Sequence, residues 1–327
     1  MDSWSSEVGQ GISEVLAAAC PPRSLTGRTV AEVLRRDSYG GREGNPRLFA
    51  LAVLGCLRAD PTPAVDISVL SHLWWAGAEV LDDLIDRKTA GHGSWSSGEL
   101  LIGATACLDL LPQVVIDRSE VPAAIKDFWR KELVDGTLAA AEGQLSDLLP
   151  ADGSVSWQQT MMSYLGKAGA AYGRDAAMAA RLVTANPVQL RNWRDFGWLF
   201  GVLRQLRNDV LDSTGQLEDL TNSTPTLLLA CAFETMSGSR RQGLRSLVAD
   251  AAGCPADAVA LRRLLTADDV ITNYHSRVTS LGHRARSMLV RLASSGSSYP
   301  DALLWMIDEA VELAVPGPHR ELEAVPA

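Results

Sequence analysis

Apolar residues recur along the chain at i, i+3, i+4 and i+7 in one window after another, and short Pro, Gly or Ser punctuation separates the windows. That period belongs to amphipathic helices, and no alternation of apolar and polar residues of the kind a strand needs interrupts it. The pattern predicts an all-helical fold with helices near 27–36, 45–58, 66–86, 96–112, 121–148, 156–184, 187–213, 224–235, 238–252, 269–294 and 299–314. Breaks such as Ala59-Asp-Pro-Thr-Pro, Pro150-Ala-Asp-Gly-Ser and Ala185-Asn-Pro carry turn chemistry but are too short for interdomain linkers. A single domain over 26–315 is expected, with a flexible segment at 1–25, a tail at 316–327 and no internal repeat.

Composition narrows the function classes. Of 327 residues 46% are hydrophobic, ample for a packed soluble core. The net charge is -9 and no Lys/Arg run occurs, so neither nucleic acid nor an anionic membrane is an expected partner. Cysteines at 20, 56, 107, 231 and 254 are odd in number and form no CxxC pair, which suggests neither a disulfide framework nor a zinc site. The opening Met1 to Glu7 lacks a basic region followed by an apolar one, and apolar runs such as Leu48 to Leu57 are too short to cross a bilayer. The expectation is a cytoplasmic protein without a membrane span, acting on a small molecule.

Candidate chemistry lies in two acidic clusters. Ser71 to Asp86 is apolar almost all round, as a helix buried in a bundle would be, yet it ends in Asp82, Asp83 and Asp86. Asp82 and Asp86 stack on one face and Asp83 lies about 100° away. Carboxylates at a helix C-terminus meet the negative end of the macrodipole and repel one another, so a cationic group should compensate them. About 120 residues later, Asn208, Asp209 and Asp212 repeat the arrangement. A lone cluster reads equally well as a solvated helix end. A second copy, each after an apolar helix, favours a metal site. Magnesium is held by one or two carboxylates plus waters and phosphate oxygens, and two such helix ends facing across a bundle would hold several ions and a diphosphate.

With these clusters the chain resembles the trans-isoprenyl diphosphate synthases, over about Ser38 to Leu229. Asp82-Asp83-Leu-Ile-Asp86 is similar to the family's first motif and Asn208-Asp209-Val-Leu-Asp212, preceded by Gln205, to its second, with Asn in first position. Gly143-Gln144-Leu-Ser-Asp147-Leu148 is similar to the GQxxDL segment, and Tyr164-Leu-Gly-Lys167 to the stretch carrying a diphosphate-binding lysine. The resemblance implies the class I isoprenoid synthase helical bundle around a central cavity, Mg2+ as cofactor, a prenyl diphosphate as substrate and a homodimer. It assigns Asp82, Asp83, Asp86, Asn208, Asp209 and Asp212 as metal ligands, with Asp82, Asp83, Asp86, Asp209 and Lys167 carrying catalysis. Lys167, Gln205, Arg207, Arg204, Gln144 and Arg42 are the expected diphosphate contacts. Trp75 and Ala78, on the helix above the first cluster, would line the prenyl chain. Trp75 reads equally as core and Glu79 more readily as a partner for Arg or Lys than as a proton acceptor. Gly77 and Ala78 leave room for a C15 or C20 chain, or serve close helix packing.

Departures from the family concern the second substrate, isopentenyl diphosphate. Its GGKxxR segment reads Gly40-Gly41-Arg42-Glu43-Gly44-Asn45, Trp75 stands at its histidine, Gly91 and His92 at its arginine pair, and Asn222 at a later lysine. Each lost cation removes a charge-assisted contact worth about 1.5–3 kcal/mol. The resemblance implies a transferase that ionises a C10–C20 allylic diphosphate and passes the prenyl group to an acceptor, either isopentenyl diphosphate in ordinary chain elongation or, as the lost cations favour, another acceptor. The alternatives are a terpene synthase that cyclises or quenches the cation, and a non-catalytic subunit of a prenyl synthase.

Overall fold

The computed structural model describes residues 2–36, 46–85, 95–148, 155–214, 224–250, 255–293 and 299–314. Among them no strand occurs. The helices are α1 (Asp2–Ala19), α2 (Leu25–Arg35), α3 (Phe49–Leu57), α4 (Val65–Ile85), α5 (Ser97–Thr105), α6 (Leu111–Arg118), α7 (Ala123–Asp147), α8 (Trp157–Tyr164), α9 (Ala170–Arg181), α10 (Pro187–Thr214), α11 (Leu227–Thr235), α12 (Gly238–Asp250), α13 (Pro255–Leu265), α14 (Asp268–Leu292) and α15 (Tyr299–Leu313). By contact the chain falls into two compact units: 1–134 with 174–193 and 293–303, and 135–173 with 194–292 and 304–327.

In the first unit α4 is the central element, packed by α1, α2, α3, α5 and α6. Nearly every residue of α3 is buried, as are Ile67, Val69, Leu70, Leu73, Trp74 and Val80 of α4. Each fully buried side chain of this size contributes roughly 1.5–3 kcal/mol of transfer free energy. Helix α1 lies within the segment at 1–25 that the sequence suggests is loosely held. Trp4, Val8, Ile12 and Val15 form a helical stripe, and Val8 and Val15 are buried where α1 packs on α4 and α6. The tail at 316–327 lies outside the described residues.

Local chemistry fixes the helix ends. Ser96 and Glu99 form a reciprocal capping box at α5, and Ser24, Ser156 and Thr226 cap α2, α8 and α11. The helix expected over 96–112 does not end at Pro112: the chain makes a π-helical turn over Ala106–Leu110 and continues as α6. The Leu111 N–H reaches the Ala106 carbonyl in the widened turn, which absorbs the register where proline has no N–H to give. Ser97–Arg118 is thus one 22-residue stretch, long and apolar enough to cross a membrane by length and composition, with half of it buried inside the protein.

In the second unit α14 buries Val270, Tyr274, Val278, Gly282, Ala285 and Leu289 on one face, and α11 is buried along nearly its whole length. A second π-helical turn, Leu165–Gly169, joins α8 to α9.

Candidate active site

The first acidic cluster sits where the sequence places it, at the end of α4. Asp82 and Asp83 are half-buried, and Asp86 lies outside the described residues. Most of α4 is buried, but His72, Trp75, Glu79 and Asp82, spaced three or four apart, are partly open along one stripe that runs into the aspartates, with Ala78 beside it. Glu79 is taken by Arg47, a residue sequence reasoning did not single out: its Nη2 donates to Glu79 Oε1 at 2.5 Å, and Arg47 is 2% exposed. The same guanidinium lies over the Trp75 ring, 5.0 Å from its centroid, so one face of that indole already carries a cation. The pairing expected of Glu79 is the arrangement observed. Gly77 is buried, and a Cβ there would meet the Ala104 carbonyl at 2.7 Å, so its small size serves the packing of α4 on α5. Further along α4, Trp74 lies under the Arg174 guanidinium at 4.8 Å, and Arg174 pairs with Asp175, which accepts from Ser71.

The second cluster is built from three helices of the other unit. Helix α7 packs against the π turn backbone to backbone at Gly143 and Gly166. A Cβ on Gly143 would lie 2.2 Å from the Lys167 nitrogen, so only glycine permits the approach. That contact brings Asp147, one turn along α7, to Lys167, whose Nζ donates to Asp147 Oδ2 at 2.9 Å. Helix α10 packs as closely on the other side, where a Cβ on Gly201 would meet the Ala168 carbonyl at 2.7 Å. One turn beyond, Gln205 Nε2 donates to Asp209 Oδ1 at 3.0 Å. The Tyr164 hydroxyl, at the end of α8, makes a short hydrogen bond to Asp209 Oδ2 and accepts from the Leu227 N–H at 3.3 Å. Asp209 is 6% exposed. Burial pushes its carboxyl up to about 7; the Tyr164 and Gln205 hydrogen bonds oppose the rise, the Asp147 charge adds to it and the Lys167 charge opposes it. A further phenol, Tyr274 on α14, is fully buried close enough to feel the Asp209 charge, and its hydroxyl has no hydrogen-bond partner among the described residues.

The other expected site residues distribute unevenly. Asn208 is exposed and Arg207 and Gln144 are half-buried. Arg204 is buried and held by Glu309 of α15 at 3.1 Å. Asp212 lies in α10, but its side chain is outside the description, as are Arg42, Asn45, Gly91, His92 and Asn222 altogether. Two signals for the unforeseen residues were present in the sequence: Tyr164 precedes Lys167 by about one helical turn, and Arg47 follows the glycine-rich segment at 40–44.

The donor sets suit magnesium. Among the described residues no group of three or more His, Cys, Asp or Glu side chains gathers to hold an ion alone. Magnesium asks for less, one or two carboxylates with water and phosphate completing its octahedron. Asp82 and Asp83 are partly open, and each oxygen of Asp209 accepts one protein donor, which leaves a lone pair on each.

Residues 126–265 match the sequence model of the polyprenyl synthetase family, a span that holds Asp147, Lys167 and the second cluster but not Asp82 and Asp83. No curated protein matches the chain significantly by sequence. Among solved structures, the geranylgeranyl pyrophosphate synthetase of Pyrococcus horikoshii Ot3 superposes with a TM-score of 0.77 at 19% identity, covering 95% of this chain and 96% of that one. A geranylgeranyl pyrophosphate synthase from Corynebacterium glutamicum, complexed with isoprenyl diphosphate and magnesium, gives 0.78 at 16% identity over 96% and 99% of the two chains. A polyprenyl synthase from Caulobacter crescentus CB15, complexed with calcium and isoprenyl diphosphate, gives 0.71 at 15% over 92% and 97%. At these identities the likeness shows the fold, which is the all-helical isoprenyl synthase fold expected from the sequence.

Proposed function

Starting from a chain whose residues 126–265 match the polyprenyl synthetase family model and whose fold is that of the isoprenyl synthases, we propose that it is a member of that family, a magnesium-dependent prenyltransferase that binds and ionises a C10–C20 allylic diphosphate and passes the prenyl group to an acceptor other than isopentenyl diphosphate. The observation that carries this reading is the group formed around the π turn, where Lys167 donates to Asp147 and, beside that pair, Tyr164 and Gln205 each donate to Asp209. A lysine beside buried carboxylates has little use in a packed core, whereas cations and carboxylate-held metal neutralise a leaving diphosphate. When bound, magnesium supplies Lewis acidity to the diphosphate oxygens. Lys167 contacts the departing pyrophosphate, exchanging its bond to Asp147 for one to a phosphate oxygen. Asp82, Asp83 and Asp86 of the first motif would hold magnesium, as would Asn208, Asp209 and Asp212 of the second. The open stripe of Trp75 and Ala78 on α4 receives the chain. Exposed Leu101, Ile102 and Leu110 on the α5–α6 stretch give the expected homodimer an apolar face.

The test is incubation with Mg2+ and geranyl, farnesyl or geranylgeranyl diphosphate, with and without isopentenyl diphosphate. Magnesium-dependent pyrophosphate release without a longer diphosphate supports the reading. A longer diphosphate shows that the isopentenyl site persists, a hydrocarbon from one substrate alone shows a lyase, and no release from any of them overturns the enzymatic reading.

A further inference from the structure

We infer that Tyr164 is the positioning residue of Asp209: its phenolic hydroxyl fixes one carboxylate oxygen so that the other lone pairs of that carboxylate are presented to a divalent cation. The inference rests on the reading of Asp209 as a metal ligand and adds a residue that no metal motif contains. Three observations support it. Tyr164 is 3% exposed and bonds Asp209 Oδ2 while Gln205 bonds Oδ1, so the carboxylate cannot turn about its own axis without losing both donors. The same phenolic oxygen accepts from the Leu227 N–H, which anchors it to the start of α11 and prevents it from following Asp209 elsewhere. Finally, Tyr164 is the last residue before the π turn that carries Lys167. The hydroxyl that holds Asp209 and the ammonium that holds Asp147 are therefore presented by one continuous turn.

The chemistry is that of an outer-shell donor. A ligating carboxylate is held at the correct angle by hydrogen bonds from groups that never touch the metal, and losing such a partner weakens metal affinity about 10–100-fold. Tyrosine suits this task in a buried place because the ring packs as an apolar body and only the tip is polar.

The experiment is Mg2+ binding to the full chain in the presence of inorganic pyrophosphate, followed by calorimetry, for the wild type, Tyr164→Phe and Asp209→Ala, with the melting temperature of each metal-free protein measured alongside. Tyr164→Phe keeps the ring and removes only the hydroxyl, and it is expected to weaken Mg2+ binding about tenfold or more, in the same direction as Asp209→Ala. If Asp209→Ala weakens binding and Tyr164→Phe lowers only the melting temperature, the hydroxyl is merely structural and the inference falls while the reading of Asp209 stands. If Asp209→Ala leaves Mg2+ binding unchanged, the reading of Asp209 as a ligand falls and the inference with it. Should Tyr164→Phe fail to fold, 3,5-difluorotyrosine at position 164 keeps both shape and hydroxyl while making it a stronger donor. It is then expected to shift Mg2+ affinity several-fold without changing the metal-free melting temperature, and an unchanged affinity overturns the inference.

Discussion

Arg47 and Glu79 form an ion pair in which the arginine is buried and the glutamate half-open, one helical turn before Asp82 and Asp83 on α4. The cation thus belongs to the same face of α4 as the acidic cluster, yet its charge is directed at Glu79 and at the Trp75 ring. Removing the carboxylate alone leaves a buried guanidinium facing a neutral group, and removing the guanidinium also deprives Trp75 of its neighbour. Arg47→Met is expected to cost about 1–3 kcal/mol, discounted for the partial exposure of Glu79. Glu79→Gln, which keeps one acceptor, is expected to cost less. Chemical denaturation checks both, and a Glu79→Gln protein that retains its stability but loses turnover would show that Glu79 acts on the substrate.

Asp83 should behave in the opposite way. It is half-buried at a helix C-terminus, where its charge opposes the macrodipole and adds to that of Asp82. Asp83→Ala is expected to leave the melting temperature unchanged or slightly higher while nearly all turnover disappears. A variant that fails to fold would assign Asp83 a structural role and remove the first cluster from the proposed mechanism.

The Tyr274 hydroxyl, buried near Asp209 and without a hydrogen-bond partner among the described residues, is a cost the fold carries. Tyr274→Phe removes that group with little change of shape, so the variant should be stabilised by about 1 kcal/mol in urea denaturation. A loss of stability instead would reveal a partner for the hydroxyl in the folded protein.

How much of this was legible in the sequence depended on the kind of signal. Eleven expected helices have counterparts because helical spacing survives in long amphipathic segments. Helix α1 was passed over although Trp4, Val8, Ile12 and Val15 keep the period, because its intervening residues are small and polar. Helix α13 was hidden by the punctuation of Cys254-Pro255 and by its short length, although Leu261 and Leu265 bury one face. The helix expected to end at 112 runs on to Arg118 because the π turn accommodates Pro112. For the site, Asp82, Asp83, Lys167 and Asp209 were found as motif members, but spacing says nothing of burial. Arg47, Tyr164 and the Arg174–Asp175 pair act through contacts between helices distant in sequence, and a charged pair in the Ala-rich α9 reads as surface until Trp74 is seen beneath it.

The raised Asp209 carboxyl makes a last prediction, about pH. In the folded metal-free protein burial lifts it to about 7 from an ordinary 3.8, so between those values the folded chain holds a proton that the unfolded chain has released. Stability then falls as pH rises: the contribution is complete below about pH 4 and is lost through about pH 7, and a shift of some three units corresponds to at most about 4 kcal/mol. Denaturation in chelator between pH 4.5 and 8 should show this decline, and Asp209→Asn, which cannot ionise, should flatten it. Mg2+ with pyrophosphate at pH 7.5 should restore the stability of the wild type but not of Asp209→Asn, because a bound cation favours the charged carboxylate. Parallel pH profiles for the two proteins would mean that Asp209 stays ionised in the folded chain, and that its two hydrogen bonds outweigh its burial.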